Sequence, residues 1–168
     1  MRAWRVTKTE PSPFQEAIIA DGVITEAEYL GAVQAAADCM TDRGWEVSEP
    51  ERRLDGVTYA FATGSSAAAS ESQQDRSDRN ERDFNECAAG TIDPLEMAYF
   101  DLNLYTGAER SAAYGDLADC LQDSGVDGEV DGRSREEISI LLQDSAASDA
   151  AYLCLERAAR LFPALGEG

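Results

Sequence analysis

Four cysteines, at positions 39, 87, 120 and 154, constrain this chain more than any other feature. Their intervals of 48, 33 and 34 residues leave no C-x-x-C pair, and no histidine occurs anywhere. The spacing therefore points neither to a thioredoxin-like redox pair nor to a zinc knuckle. An even number of widely spaced cysteines suits two structural disulfides in a protein that matures outside the reducing cytoplasm. The plainer alternative is four buried thiols in a cytosolic core. Four cysteines allow three connectivities. Cys39 with Cys87 and Cys120 with Cys154 is the preferred pairing, because each bond then staples one half of the chain. Loops of these sizes contribute about 4 kcal/mol each, comparable to the whole net stability of a small domain.

The missing histidine also removes the Ser-His-Asp triad, the Cys-His dyad and the imidazole zinc ligand. With 33 acidic against 14 basic residues the formal charge is −19. A nucleic-acid partner is excluded on that balance, since phosphate binding needs clustered cations. Lys8 is the single lysine among these cations, an arginine bias typical of GC-rich bacterial coding. No cofactor is expected: there is no phosphate-cradling glycine motif with lysine and no G-x-S-x-G. The enzymatic alternative is a carboxylate pair of the glycoside-hydrolase kind, which no motif marks, so the chain is read as non-enzymatic.

Two acidic loops carry part of a calcium-loop pattern. Around Asp21-Gly22 the register of an EF-hand would put Ala17 and Ile19 at ligand positions, which cannot bind the ion. The run Asp123, Asp127, Glu129 and Asp131 is the better, still weak, candidate, because Ser134 stands where the bidentate Glu belongs. The bland reading of that run is a glycine-rich connector.

The local signals are helical. Ser12-Pro13 starts a short helix, and Thr25-x-x-Glu28 is a capping box opening the best-marked helix, with Tyr29, Val33, Ala36 and Met40 at helical spacing up to Gly44. Trp45 to Glu49 and Val57 to Ala62 flank Asp55-Gly56 as a hairpin with Val57, Tyr59 and Phe61 on one face. Residues 63 to 80 lack large apolar side chains and read as a surface excursion or an exposed helix start. Helical pattern resumes near Asp83 and ends around Gly90. Asp93, with Pro94 and Glu96, caps the next helix, and others follow over Ala108 to Asp123, from Ser134 through Leu142, and over Ser148 to Phe162. Tyr29, Tyr59, Tyr99, Tyr114 and Tyr152 fall on core faces.

Residues 37–44 and 118–125 repeat at an offset of 81 (ADCMTDRG against ADCLQDSG). The expected fold is therefore mostly α, with six to seven helices, one small β-hairpin and two disulfides. Residues 12–162 form one stapled domain with halves 12–90 and 93–162, preceded by a tether or tag (1–11) and followed by a tail (163–168). No apolar stretch is long enough to span a bilayer.

The pattern Phe14-Gln15, Asp21-Gly22-Val23-Ile24-Thr25, Glu28-Tyr29, Cys39-Met40, Gly44, the hairpin ending Tyr59, then Cys87, Glu96 and Tyr99 resembles small exported proteins and lipoproteins of actinobacteria, over about residues 12 to 105. The resemblance implies export and residence in or near the cell envelope, extracytoplasmic or secreted, and brings no activity or catalytic residue with it. The sequence opens without the leader and lipid-accepting cysteine of that pattern; a native start carrying both would supply an N-terminal lipid anchor. The expected role is an envelope-associated accessory or binding protein with an unidentified envelope protein or ligand as partner. Its rivals are a cytoplasmic acidic inhibitor that imitates DNA and a glycan-acting enzyme with paired carboxylates.

Overall fold

The computed structural model describes residues 10–64, 72–144 and 149–163. Its described residues form seven helices and a two-part antiparallel hairpin, with both disulfides closed, Cys39 to Cys87 and Cys120 to Cys154. The chain divides into two compact units. The first takes residues up to Arg53 and from Thr58 to Tyr99; the second takes Leu54–Val57 and the chain from Phe100 on. The division thus falls inside a helix, after Tyr99, and not in the gap before Asp93.

In the first unit, α1 (Pro13–Ile19) is opened by Ser12 and Gln15 in a reciprocal capping box. The same two side chains fix it to the chain's later helix, the Ser12 hydroxyl donating to the Gly90 carbonyl (2.7 Å) and the Gln15 amide to that of Ala89 (3.2 Å). Gln15 is accordingly fully buried, its polar atoms satisfied as burial requires. α2 (Glu26–Asp42) begins on the Thr25/Glu28 box and buries Tyr29, Ala32, Val33, Ala36, Ala37 and Met40, one apolar stripe at 3.6-residue spacing. It ends where Gly44 turns to φ +87°. There the Gly44 amide donates to Thr41 and the Trp45 amide to Met40, the paired bonds of a Schellman cap.

The hairpin that follows is paired in two pieces. β1 (Glu46–Val47) pairs with β4 (Thr63–Gly64), and β2 (Glu51–Arg52) pairs with β3 (Tyr59–Ala60). The partner sums differ by one between the pieces, so the outgoing strand holds one extra residue, a bulge. It lies around Pro50, which has no N–H to give, while the Ser48 hydroxyl takes the Ala62 amide (2.9 Å).

α3 (Gln73–Thr91) starts ten residues before the apolar pattern that marks Asp83. It needs no early apolar stripe, because Ser72 caps the Asp75 amide (3.1 Å) and Gln74 bonds Asp78 one turn on (2.7 Å), local pairs that support an exposed helix. Residues 65–71 of the expected excursion lie outside the described residues. α4 (Asp93–Leu102) follows after Ile92. Here the expected cap is displaced by one position: Ile92 supplies the carbonyl that the Glu96 amide meets (2.9 Å), and Asp93 stands inside the helix. Tyr99 stacks on Tyr29, centroids 4.5 Å apart.

In the second unit, α5 (Gly107–Asp123) buries Tyr114, Leu117 and Leu121. It ends as α2 does, with Gly125 at φ +82°, its amide on Gln122 and the Val126 amide on Leu121. The repeated octets therefore share one backbone cap. α6 (Arg135–Asp144) opens on Ser134, whose amide bonds the Glu137 carboxylate (2.7 Å). α7 (Asp149–Arg157) is shorter than the Ser148 to Phe162 helix expected; a 3-10 turn, Ala159–Leu161, replaces its last turn. The cause is Arg160, whose carbonyl accepts from the Tyr105 amide (3.0 Å) while its guanidinium donates to the Asn103 carbonyl (2.6 Å). Ile138, Leu142, Ala151, Leu155, Leu161 and Phe162 fill this unit's core.

Candidate functional site

Each disulfide joins a helix end to a later helix, at the cysteine five residues before the capping glycine. Cys87 and Cys154 are buried, so both bonds belong to the cores. In the first unit Cys87 packs with Met40 and Trp45.

Around Trp45 lies a dense polar network. Its indole N–H donates to Asp83 (3.0 Å), the Arg43 guanidinium reaches the same carboxylate (3.3 Å), and Arg79 lies over the indole ring at 4.2 Å. Burial pushes the Asp83 carboxyl up, but the Trp45 hydrogen bond and the charges of Arg82 and Arg43 outweigh it and hold the group below the usual Asp range. Every partner here is internal, so the network locks the α2–hairpin–α3 junction.

A second cluster sits on the hairpin. Glu26 accepts from both the Tyr59 hydroxyl and Arg52, and Arg52 lies over the Tyr59 ring at 4.9 Å. The Tyr59 and Arg52 hydrogen bonds lower the Glu26 carboxyl, and the bond to Glu26 raises the Tyr59 hydroxyl. This cluster is exposed and mutually satisfied, which leaves no group over for a ligand.

The connector over residues 123–131 does not gather its carboxylates. Among the described residues no group of three or more Cys, Asp or Glu side chains converges as a metal site requires. The reason is packing: Val126 and Val130 are buried, the Tyr114 hydroxyl ties down the Arg133 carbonyl (3.2 Å), and the loop lies along the core as two apolar anchors. Asp123, Asp127, Glu129 and Asp131 are left exposed.

A cleft of about 290 Å³ lies in the second unit. One wall is the α5 stripe Ala113, Asp116, Leu117 and Cys120; the other is Cys154, Arg157 and Ala158 of α7 and the residue after it. These spacings of three, four and seven place each set on one helix face. Leu117, Cys154 and Ala158 are buried and give an apolar floor beside the disulfide. Tyr105 completes the lining, its ring held by the Arg160 guanidinium at 4.1 Å. Asp116 and Arg157, both exposed, bring opposite charges to the same cleft. Neither side chain makes a hydrogen bond or ion pair among the described residues.

Sequence reasoning placed the two cysteines of this cleft and missed Tyr105, Asp116 and Arg157. It also set Tyr152 on a core face, whereas that side chain is 40% exposed. The stripe Ala113, Asp116, Leu117, Cys120 was readable as a face, but nothing in it said that the facing helix would leave a gap. The cleft holds a single carboxylate, Asp116, so it lacks the paired acids that glycoside hydrolysis needs. No family model, no curated protein and no solved structure matches this chain.

Proposed function

We propose that this protein is an exported, cell-envelope-associated binding or accessory protein that works without chemistry of its own, with the α5–α7 cleft as its binding surface. The observation that carries the reading is the pair of intrachain disulfides, one closing each compact unit on a buried cysteine. Bonds placed in two cores suit a chain that folds where thiols are oxidised. The resemblance of the opening pattern to small exported actinobacterial proteins is taken to support the same compartment. No described helix is long and apolar enough to cross a membrane, so in this reading the envelope is reached by secretion or by an anchor outside the described helices. The surplus of acidic residues serves solubility.

The test is mass spectrometry of the unreduced protein taken from its native host, together with cell fractionation. Both disulfides intact in an envelope or secreted fraction is the expected result. Four free thiols in a cytosolic fraction would overturn the compartment and the role built on it.

A further inference from the structure

We propose that the cleft between α5 and α7 binds a free amino acid with an apolar side chain, its carboxylate on Arg157, its ammonium on Asp116 and its side chain on the floor of Leu117, Ala158 and the Cys120–Cys154 bond. This rests on the reading of the cleft as a binding surface and names the ligand's chemical class.

The charge arrangement selects the class. Arg157 and Asp116 line one cleft of about 290 Å³, and neither is neutralised by a partner among the described residues. The contrast within the protein is informative: Arg43, Arg52 and Arg135 all take carboxylates. A ligand with one sign of charge would satisfy one of the two groups and meet the other as repulsion. A zwitterion satisfies both, each through a charge-assisted hydrogen bond.

Size and floor narrow it further. The volume lies at the small end of ligand pockets, below what a peptide of several residues fills. The floor is made of a leucine, an alanine and sulfur, surfaces that favour an aliphatic or aromatic group and offer a polar side chain nothing. Tyr105 is a fixed wall: its amide bonds the Arg160 carbonyl and its ring stacks on the Arg160 guanidinium. A wall already held in place costs little entropy on binding. Ala113 and Ala158 bring two small side chains to the lining.

The experiment is an NMR titration of the oxidised full chain with four probes: phenylalanine, phenylalaninamide without the carboxylate, N-acetylphenylalanine without the ammonium, and benzyl alcohol with neither. Phenylalanine is expected to shift the amides of Ala113, Leu117 and Ala158 with a Kd of about 1 mM or tighter. Arg157→Gln should weaken phenylalanine about tenfold and leave phenylalaninamide unchanged; Asp116→Asn should weaken phenylalanine by a similar factor and leave N-acetylphenylalanine unchanged. Both positions are exposed, so these variants fold. Ala113→Leu should abolish binding of all four by filling the cleft. Equal binding of the four probes, unaffected by either charge variant, would overturn the zwitterion and keep a binding cleft. No shift with any probe would overturn both.

Discussion

The indole N–H of Trp45 points at the carboxylate of Asp83, 3.0 Å away and 38 residues further along the chain. Asp83 is 8% exposed and the pair ties the residue after the α2 cap to the middle of α3. Asp83→Ala leaves a buried indole donor without its acceptor and is expected to cost about 2 kcal/mol. Urea denaturation followed by tryptophan fluorescence measures it, and an unchanged midpoint would refute the role given to this bond. Asp83→Asn keeps an acceptor for the indole but not the ion pairs, so its loss should be smaller.

The same group sets an acid limit. The Asp83 carboxyl is held below its unfolded value despite the opposing push of burial, and the Glu137 carboxyl is lowered by its hydrogen bonds at the Ser134 cap. Groups depressed in the folded state contribute stability that is complete above their unfolded pKa and disappears as pH falls through the folded one. Melting temperature should therefore be level through neutral pH and fall as pH drops into and below the ordinary carboxylate range. In Asp83→Asn the fall should be shallower. A wild-type profile that is flat through that range contradicts the assignment.

Each disulfide should act on its own unit. Cys39→Ala with Cys87→Ala opens a 48-residue loop and Cys120→Ala with Cys154→Ala a 34-residue one, each worth about 4 kcal/mol in the loop-entropy estimate. Hydrogen exchange should show lost protection along α2 and α3 for the first pair, and along α5 and α7 for the second. Uniform loss in both variants would contradict the division into two units.

Gly44 and Gly125 make a matched test. Both have positive φ, and a methyl at either would meet nothing within 4 Å. Substitution by alanine therefore registers backbone strain alone, about 1–2 kcal/mol. Equal costs at the two sites, read from denaturation midpoints, would show that the repeated octets are energetically as well as geometrically equivalent.

Much of this architecture is legible in the amino acids because it is local. Thr25 with Glu28, Ser134 with Glu137, and the glycines after Arg43 and Ser124 are caps written within a few residues. The cysteine pairs of the structure are the ones preferred among three connectivities because each staples one half of the chain. What stayed hidden depends on contacts made from far away. The start of α3 at Gln73 is an exception to that distance: it rests on the local pairs of Ser72 with Asp75 and Gln74 with Asp78, which apolar spacing does not display. The last turn of α7 is remade by Arg160 reaching Asn103. The cleft brings Ala113 and Ala158, 45 positions apart, into one lining, which no window of sequence displays.

The hairpin's interruption bears on how this chain behaves in a crowd. Its paired segments are two residues long, and the extra residue around Pro50 shifts the register between them. A neighbouring molecule seeking to add a strand finds no continuous row of amides and carbonyls to match, only a broken edge beside exposed Glu46 and Glu51. Uninterrupted, the same strands would offer a template for sheet growth between copies. One proline and one extra residue thus blunt the strand edge of the hairpin in the way that disfavours strand addition between copies.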